Sequence, residues 1–377
     1  MQGGFGKLPD ANLHRAQHSK DNTVIVFEEM KRQNSDLMRL DRDNVADKVI
    51  QATLDIELPT RLDSPWAYHQ ISLLIDQVKE TANRLGLETG EFPLHATVPT
   101  GQVNAMAVKL ECSSKTFLLF DSQLLTFCNL VAKLYAQCLA PNENFGSGNP
   151  KIMRAVIEGT PEIVIRLKRV LEAFFRTGRP GTSPPFPVDT TSASLSHIFR
   201  TGMELFVVGH EFGHFYAGHL GKVAQQLNVV APDLSFPESH IEEFEADYLA
   251  LVLTIHALKK EGYEVRMIVG AIKLFFSTLD LAKRYADFLS YGPNRKFVSE
   301  ESDSHPSNES RKRAIDQAVE KMFVEEEDVQ SAQQFYMLIE QTTDFLWESM
   351  VSIEAKVKIK NFCSCGSGRK KKKCCGR

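Results

Sequence analysis

Residues 205–220, Leu-Phe-Val-Val-Gly-His-Glu-Phe-Gly-His-Phe-Tyr-Ala-Gly-His-Leu, constrain this chain more than any other stretch. The flanks are those of a helix buried in a core, yet His210, Glu211 and His214 sit in its middle. A carboxylate buried without a partner is costly, so a second element has to bring groups that answer these three. Histidines at i and i+4 lie one above the other on a helix face, about 6 Å apart, and both rings can reach one ion. The glutamate between them emerges alongside, where it can take a proton from a metal-bound water.

A catalytic zinc site takes a third protein ligand and keeps a fourth position for water. His219 follows His214 by five residues, whereas the metzincin pattern needs six with a glycine between, so that class is excluded and His219 reads as a structural or rim residue. Glu243-Phe244-Glu245-Ala246-Asp247 offers a better source. Glu243 and Asp247 share a helix face, so one can bind metal while the other fixes a ligand histidine's tautomer. Glu242 and Glu245 are its rivals, with a solvated acidic face as their plain reading.

The rest of the chain supplies a body for such a site. Its 377 residues, 43% hydrophobic and 24% charged, suffice for one large domain or two smaller ones. Helical spacing of apolar residues predicts helices over 44–56, 65–85, 122–139 and 161–175. Further helices are expected over 192–220, 237–260, 265–289, 308–323 and 327–355. Two strands are expected at 103–110 and 115–121, joined by a turn at 111–114. Residues 1–22 read as a flexible arm, and 141–190 as an insertion able to cap a cleft. No run reaches the roughly 18–20 apolar residues of a membrane span, and the first residues lack the apolar core of a secretory signal. The expectation is a cytoplasmic, soluble protein without membrane contact.

Taken together, these motifs resemble the gluzincin metallopeptidases of the HtpX, Oma and CAAX-prenyl-protease type. The likeness rests on His210/Glu211/His214, on Glu243 to Asp247, on His305-Pro306 with Arg311, and on Asn104-Ala105-Met106-Ala107, in that family's order. A weaker match lies at 120–125. The resemblance covers roughly residues 40–325 and implies an α+β, mostly helical, zincin-like fold with a small antiparallel sheet, spanning 23–355. It implies that His210, His214 and Glu243 bind catalytic zinc and that Glu211 is the general base. His305 would stabilise the oxyanion, with Asp247 and Arg311 steadying the ligands from behind. Asn104, Ala105, Met106 and Ala107 would pair with an extended protein substrate as an added strand. The membrane helices of larger relatives are missing. The stretch 207–220 is also similar, locally, to phage-exclusion peptidases of the Lit type, so the implied settings are stress response and phage defence.

The last residues carry a second metal motif. Cys363, Cys365, Cys374 and Cys375 supply four thiolates at close spacing, with Gly366-Ser367-Gly368 allowing a tight turn. Soft thiolates in a closed set select structural zinc, which brings the expected total to two zinc ions per chain. The segment closely resembles the SEC-C motif at the end of the SecA translocation motor, and 361–377 is read as such a knuckle. The net charge of −4 hides an asymmetry, because 356–377 carry nine Lys or Arg and no acid. That basic tail suits docking to an acidic protein surface, a chaperone, the ribosome or RNA. The resulting expectation is a zinc endopeptidase with a docking knuckle. The competing reading is a non-catalytic peptide-binding adaptor recruited by that tail to ribosome or chaperone, although such a binder would not need Glu211.

Overall fold

The computed structural model describes residues 58–59, 63–98, 104–109, 115–140, 150–220, 238–292, 297, 301–302, 305–323 and 326–361. The expected arm at 1–22, the helix at 44–56, the turn at 111–114 and the cysteine knuckle lie outside them.

The first described helix, α1 (Pro65–Arg84), starts where Ser64 accepts the Ala67 amide and Pro65 takes the first helical turn. Its start is tied to strand β1 (Leu94–Val98) by Asp63, whose Oδ1 accepts the Thr97 amide at 2.7 Å and hydroxyl at 2.9 Å. β2 (Ala105–Lys109) and β3 (Thr116–Asp121) complete a three-stranded sheet of order β1-β3-β2. β3 pairs with β2 antiparallel and with β1 parallel. The sheet is therefore mixed, which corrects the expected antiparallel one. The missed strand is β1, five residues between Pro93 and Pro99 whose partner lies some twenty residues downstream.

Helix α2 (Leu124–Leu139) follows directly. Within 141–190, Pro150 opens a helix that was not among those expected, α3 (Pro150–Gly159). Then come α4 (Pro161–Thr177) and a short 3-10 turn at Pro180–Thr182. The described part of this stretch, read as an insertion able to cap a cleft, is built into the main core: Met153, Ile157, Leu167 and Leu171 are buried in it. α5 (Thr190–Tyr216) begins at Asp189, which accepts the Ser192 amide at 2.8 Å. The remaining helices are α6 (Glu238–Lys260), α7 (Val265–Tyr291), α8 (Asn308–Met322) and α9 (Glu326–Asn361).

α5 is the axis of the molecule. It packs against α1, α2, α6, α7 and strand β2, which explains why residues 201–213 are buried on every side. Its approach to α6 is unusually close because small residues face each other. A Cβ built on Gly213 would stand 2.8 Å from Ala246 Cα, and one on Gly209 would stand 3.1 Å from Ala250 Cα. Gly209 and Gly213 thus meet Ala246 and Ala250 along a seam with almost no side chain between the backbones. No described helix is long and apolar enough to cross a membrane.

Candidate metal centre

The Gly/Ala seam sets the site. With Gly213 against Ala246, Glu243 and Asp247 flank the contact point on α6, beside His210 and His214 on α5. The two His Nε2 atoms stand 3.1 Å apart, and Glu243 reaches both: Oε2 lies 3.5 Å from His210 Nε2, and Oε1 lies 3.3 Å from His214 Nε2. Among the described residues this is the one cluster whose ligand atoms converge well enough to hold a metal ion, all within 4.8 Å of one another.

Two observations test whether zinc fits. Bonds of about 2.0–2.1 Å in tetrahedral geometry hold donors about 3.3 Å apart, the spacing these three side chains display. Glu243 Oε2 is also buried without a hydrogen bond, although the carboxylate is 6% exposed and held as an anion. Burial alone would raise its pKa, but His210, Arg311 and His214 outweigh that and hold it well below the usual carboxylate range. Two imidazoles and one carboxylate, with an acceptor lone pair to spare, form a donor set that zinc takes.

Behind these three side chains stands a second layer. Asp247 Oδ1 lies 2.9 Å from His210 Nδ1, so the proton of this ring is fixed on Nδ1 and a bare Nε2 faces the cluster. Arg311 grips Asp247 in a fork, Nε to Oδ2 at 2.7 Å and Nη2 to Oδ1 at 2.5 Å. Its Nη1 reaches to 3.4 Å from Glu243 Oε2, and the guanidinium lies 4.8 Å from the Phe276 ring centre. Burial works against the Asp247 anion, yet Arg311 and His210 keep its pKa low. The first turn of α8 delivers Arg311, with Ser307 accepting the Ser310 amide at 3.1 Å as its cap.

Glu211 is buried on the same helix, 6% exposed. Burial raises its pKa, and the nearby His210 and His214 pull against that rise. His305 comes in from a loop, more than half exposed, with Nε2 3.4 Å from Glu243 Oε1. That loop is tied down by a residue the sequence reading passed over. His240, one turn before Glu243, bonds the Ser302 carbonyl at 2.7 Å, and Ser302 in turn exchanges hydrogen bonds with the His305 backbone. Asn104 to Ala107 lie at the start of β2, an edge of the sheet beside α5.

His219 also takes a place that its spacing hid. α5 ends in a Schellman turn: Gly218, at φ +78°, donates to Phe215 O, and the His219 amide donates to His214 O at 3.1 Å. The turn folds His219 back over His214, Nδ1 to Nδ1 at 2.8 Å, while His219 Nε2 lies 3.0 Å from Glu245 Oε2. The readable signal was Gly218, the one residue type that adopts this conformation without strain. Cys363, Cys365, Cys374 and Cys375 are outside the described residues. Comparison with protein families, with characterised proteins and with solved structures finds no match for this chain.

Proposed function

We propose that this protein is a zinc-dependent endopeptidase acting on intracellular protein substrates, and that His210, His214 and Glu243 hold the ion. One observation carries the reading: these three side chains converge within 4.8 Å while Glu211, the residue after the first ligand, is buried beside them. When bound, zinc supplies Lewis acidity at the scissile carbonyl and makes water acidic enough to attack near neutral pH. The chain's own groups do the rest. Glu211 accepts the proton of the attacking water, its raised basicity suiting that task, and returns it to the departing amine. His305, at the exposed rim, donates to the carbonyl oxygen as negative charge gathers there. Asp247 and Arg311 keep His210 turned toward the ion. The outer edge of β2, which pairs with no strand among the described residues, is suited to receive an extended peptide backbone as an added strand.

The resemblance to HtpX- and Oma-type gluzincins supports the same roles, and the four tail cysteines are proposed to hold a second, structural zinc in a SEC-C-like docking knuckle. The test is Glu211→Gln in the full-length protein. Peptide hydrolysis should fall by at least about a thousandfold while metal content stays at the wild-type level, since Gln keeps the shape and cannot take the proton. Activity near that of wild type would end the assignment. Binding of extended peptides without turnover by the wild type would point instead to an adaptor.

A further inference from the structure

We infer that His219 and Glu245 form a positioning chain that holds His214 in the tautomer whose Nε2 is free for the ion. This rests on the metal-centre reading above.

A neutral imidazole carries one N–H, so each ring must donate at one nitrogen and accept at the other. His219 lies between His214 Nδ1, at 2.8 Å, and Glu245 Oε2, at 3.0 Å. The carboxylate can only accept. His219 therefore carries its proton on Nε2 and offers a bare Nδ1 to its neighbour. His214 must answer with a proton on its own Nδ1, which leaves Nε2 bare and directed at Glu243 Oε1 and His210 Nε2. The opposite assignment sets His219 Nε2 against Glu245 with no proton between them, lone pair facing lone pair. One acidic residue at the end of the chain thus decides the direction of every bond in it.

The two ligand histidines are then braced by different means. His210 meets its carboxylate, Asp247, directly. His214 reaches Glu245 through an intervening imidazole, which the Schellman turn locks in place with its side chain 4% exposed. Both carboxylates belong to α6, two residues apart, so this one helix orients both metal-binding rings on α5. Glu245, read from sequence as part of a solvated acidic face, gains a reason to be where it is.

Cobalt(II) titration of the full-length protein, with chelator competition, reads this chain without reference to activity. Bands of a two-histidine, one-carboxylate site are separable from the near-ultraviolet thiolate bands of the tail. Wild type should show one such site. His219→Ala and Glu245→Ala should weaken it about 10–100-fold, and His219→Gln, whose amide oxygen can accept from His214 Nδ1, should recover most of the loss. Melting of the metal-free proteins separates positioning from folding. If wild type binds cobalt and the alanine variants match it within about twofold, the positioning chain is wrong and the metal centre stands. If affinity falls only in step with metal-free stability, or His219→Gln fails to rescue, the role is structural and the inference also fails. If wild type shows no such site, the metal-centre reading itself falls.

Discussion

Glu204 and Glu211 lie seven residues apart along α5, stacked on one face two turns from each other, and their surroundings treat them differently. Glu211 has His210 and His214 close by to offset its burial. For Glu204, burial outweighs the pull of Arg200, whose Nε lies 3.6 Å from Oε2, and pushes its pKa up to about 8 from 4.5. A carboxyl raised in the folded state binds a proton there that the unfolded chain has lost. Its stabilising effect is complete below pH 4.5 and disappears as pH rises through about 8. Glu204→Gln does not titrate, so its melting temperature should match wild type near pH 4.5 and pull ahead as pH rises. The gap should grow by about 1.4 kcal/mol per pH unit and level off above pH 8. Parallel melting curves from pH 5 to 9 would remove this account. At this scale the His210/His214 pair was legible because i and i+4 is a local relation. The His214–His219–Glu245 chain was not, because it needs a left-handed glycine and a second helix at a particular register.

Among the elements, most helices were readable to within a few residues because 3.6-residue periodicity declared them. α5 read as a buried run, and α1 and α8 start at the residues expected, 65 and 308. β1 escaped because a five-residue strand with a parallel, distant partner leaves no alternating pattern or hairpin turn. α3 escaped because it is only ten residues long and opens on Pro150, a residue that ends helices elsewhere but is tolerated in a first turn. The α5/α6 seam was written in the sequence as glycines four apart and alanines four apart, but only their meeting gives them meaning. Gly213→Ala should therefore act on two helices at once. Its Cβ would fall 2.8 Å from Ala246 Cα and 3.0 Å from Ala246 O, both backbone atoms with nowhere to go. A loss of about 1–3 kcal/mol in stability is expected, together with weaker metal binding as Glu243 backs away from the histidines. Gly209→Ala, whose Cβ would meet Ala250 Cα at 3.1 Å, should be milder in both respects. Thermal melting and zinc titration of the two variants would check the ranking, and equal effects would contradict it.

On the scale of the whole molecule, the proposed catalytic groups and the proposed knuckle are divided along the chain. The described buried residues of α9, from Ala332 to Met350, all precede residue 355, as do the residues proposed to hold metal in the core. Truncation after Lys358 should accordingly leave the core folded and lower zinc content, by elemental analysis, from two ions per chain to one. Hydrolysis of a short unstructured peptide should survive. Cleavage of the cellular target should weaken and be restored by more enzyme, as expected when only effective concentration is lost. Loss of cleavage toward every substrate would instead make the tail part of the catalytic body.

The bare seam between α5 and α6 also limits how such a centre can be switched. Side chains give an interface slack, since rotamers can follow a small slide, but backbones in contact cannot. Moving α6 by one residue would advance it about 1.5 Å and turn it by about 100°, swinging Glu243 off the histidines altogether. The next register in which Ala meets Gly lies four residues further along, about 6 Å away. Sliding along the seam therefore has no intermediate register that keeps the two histidines in place and merely loosens Glu243. A shift of register would make or unmake the cluster as a whole, and finer control belongs at its doorway, on what reaches Glu211 and the exposed His305.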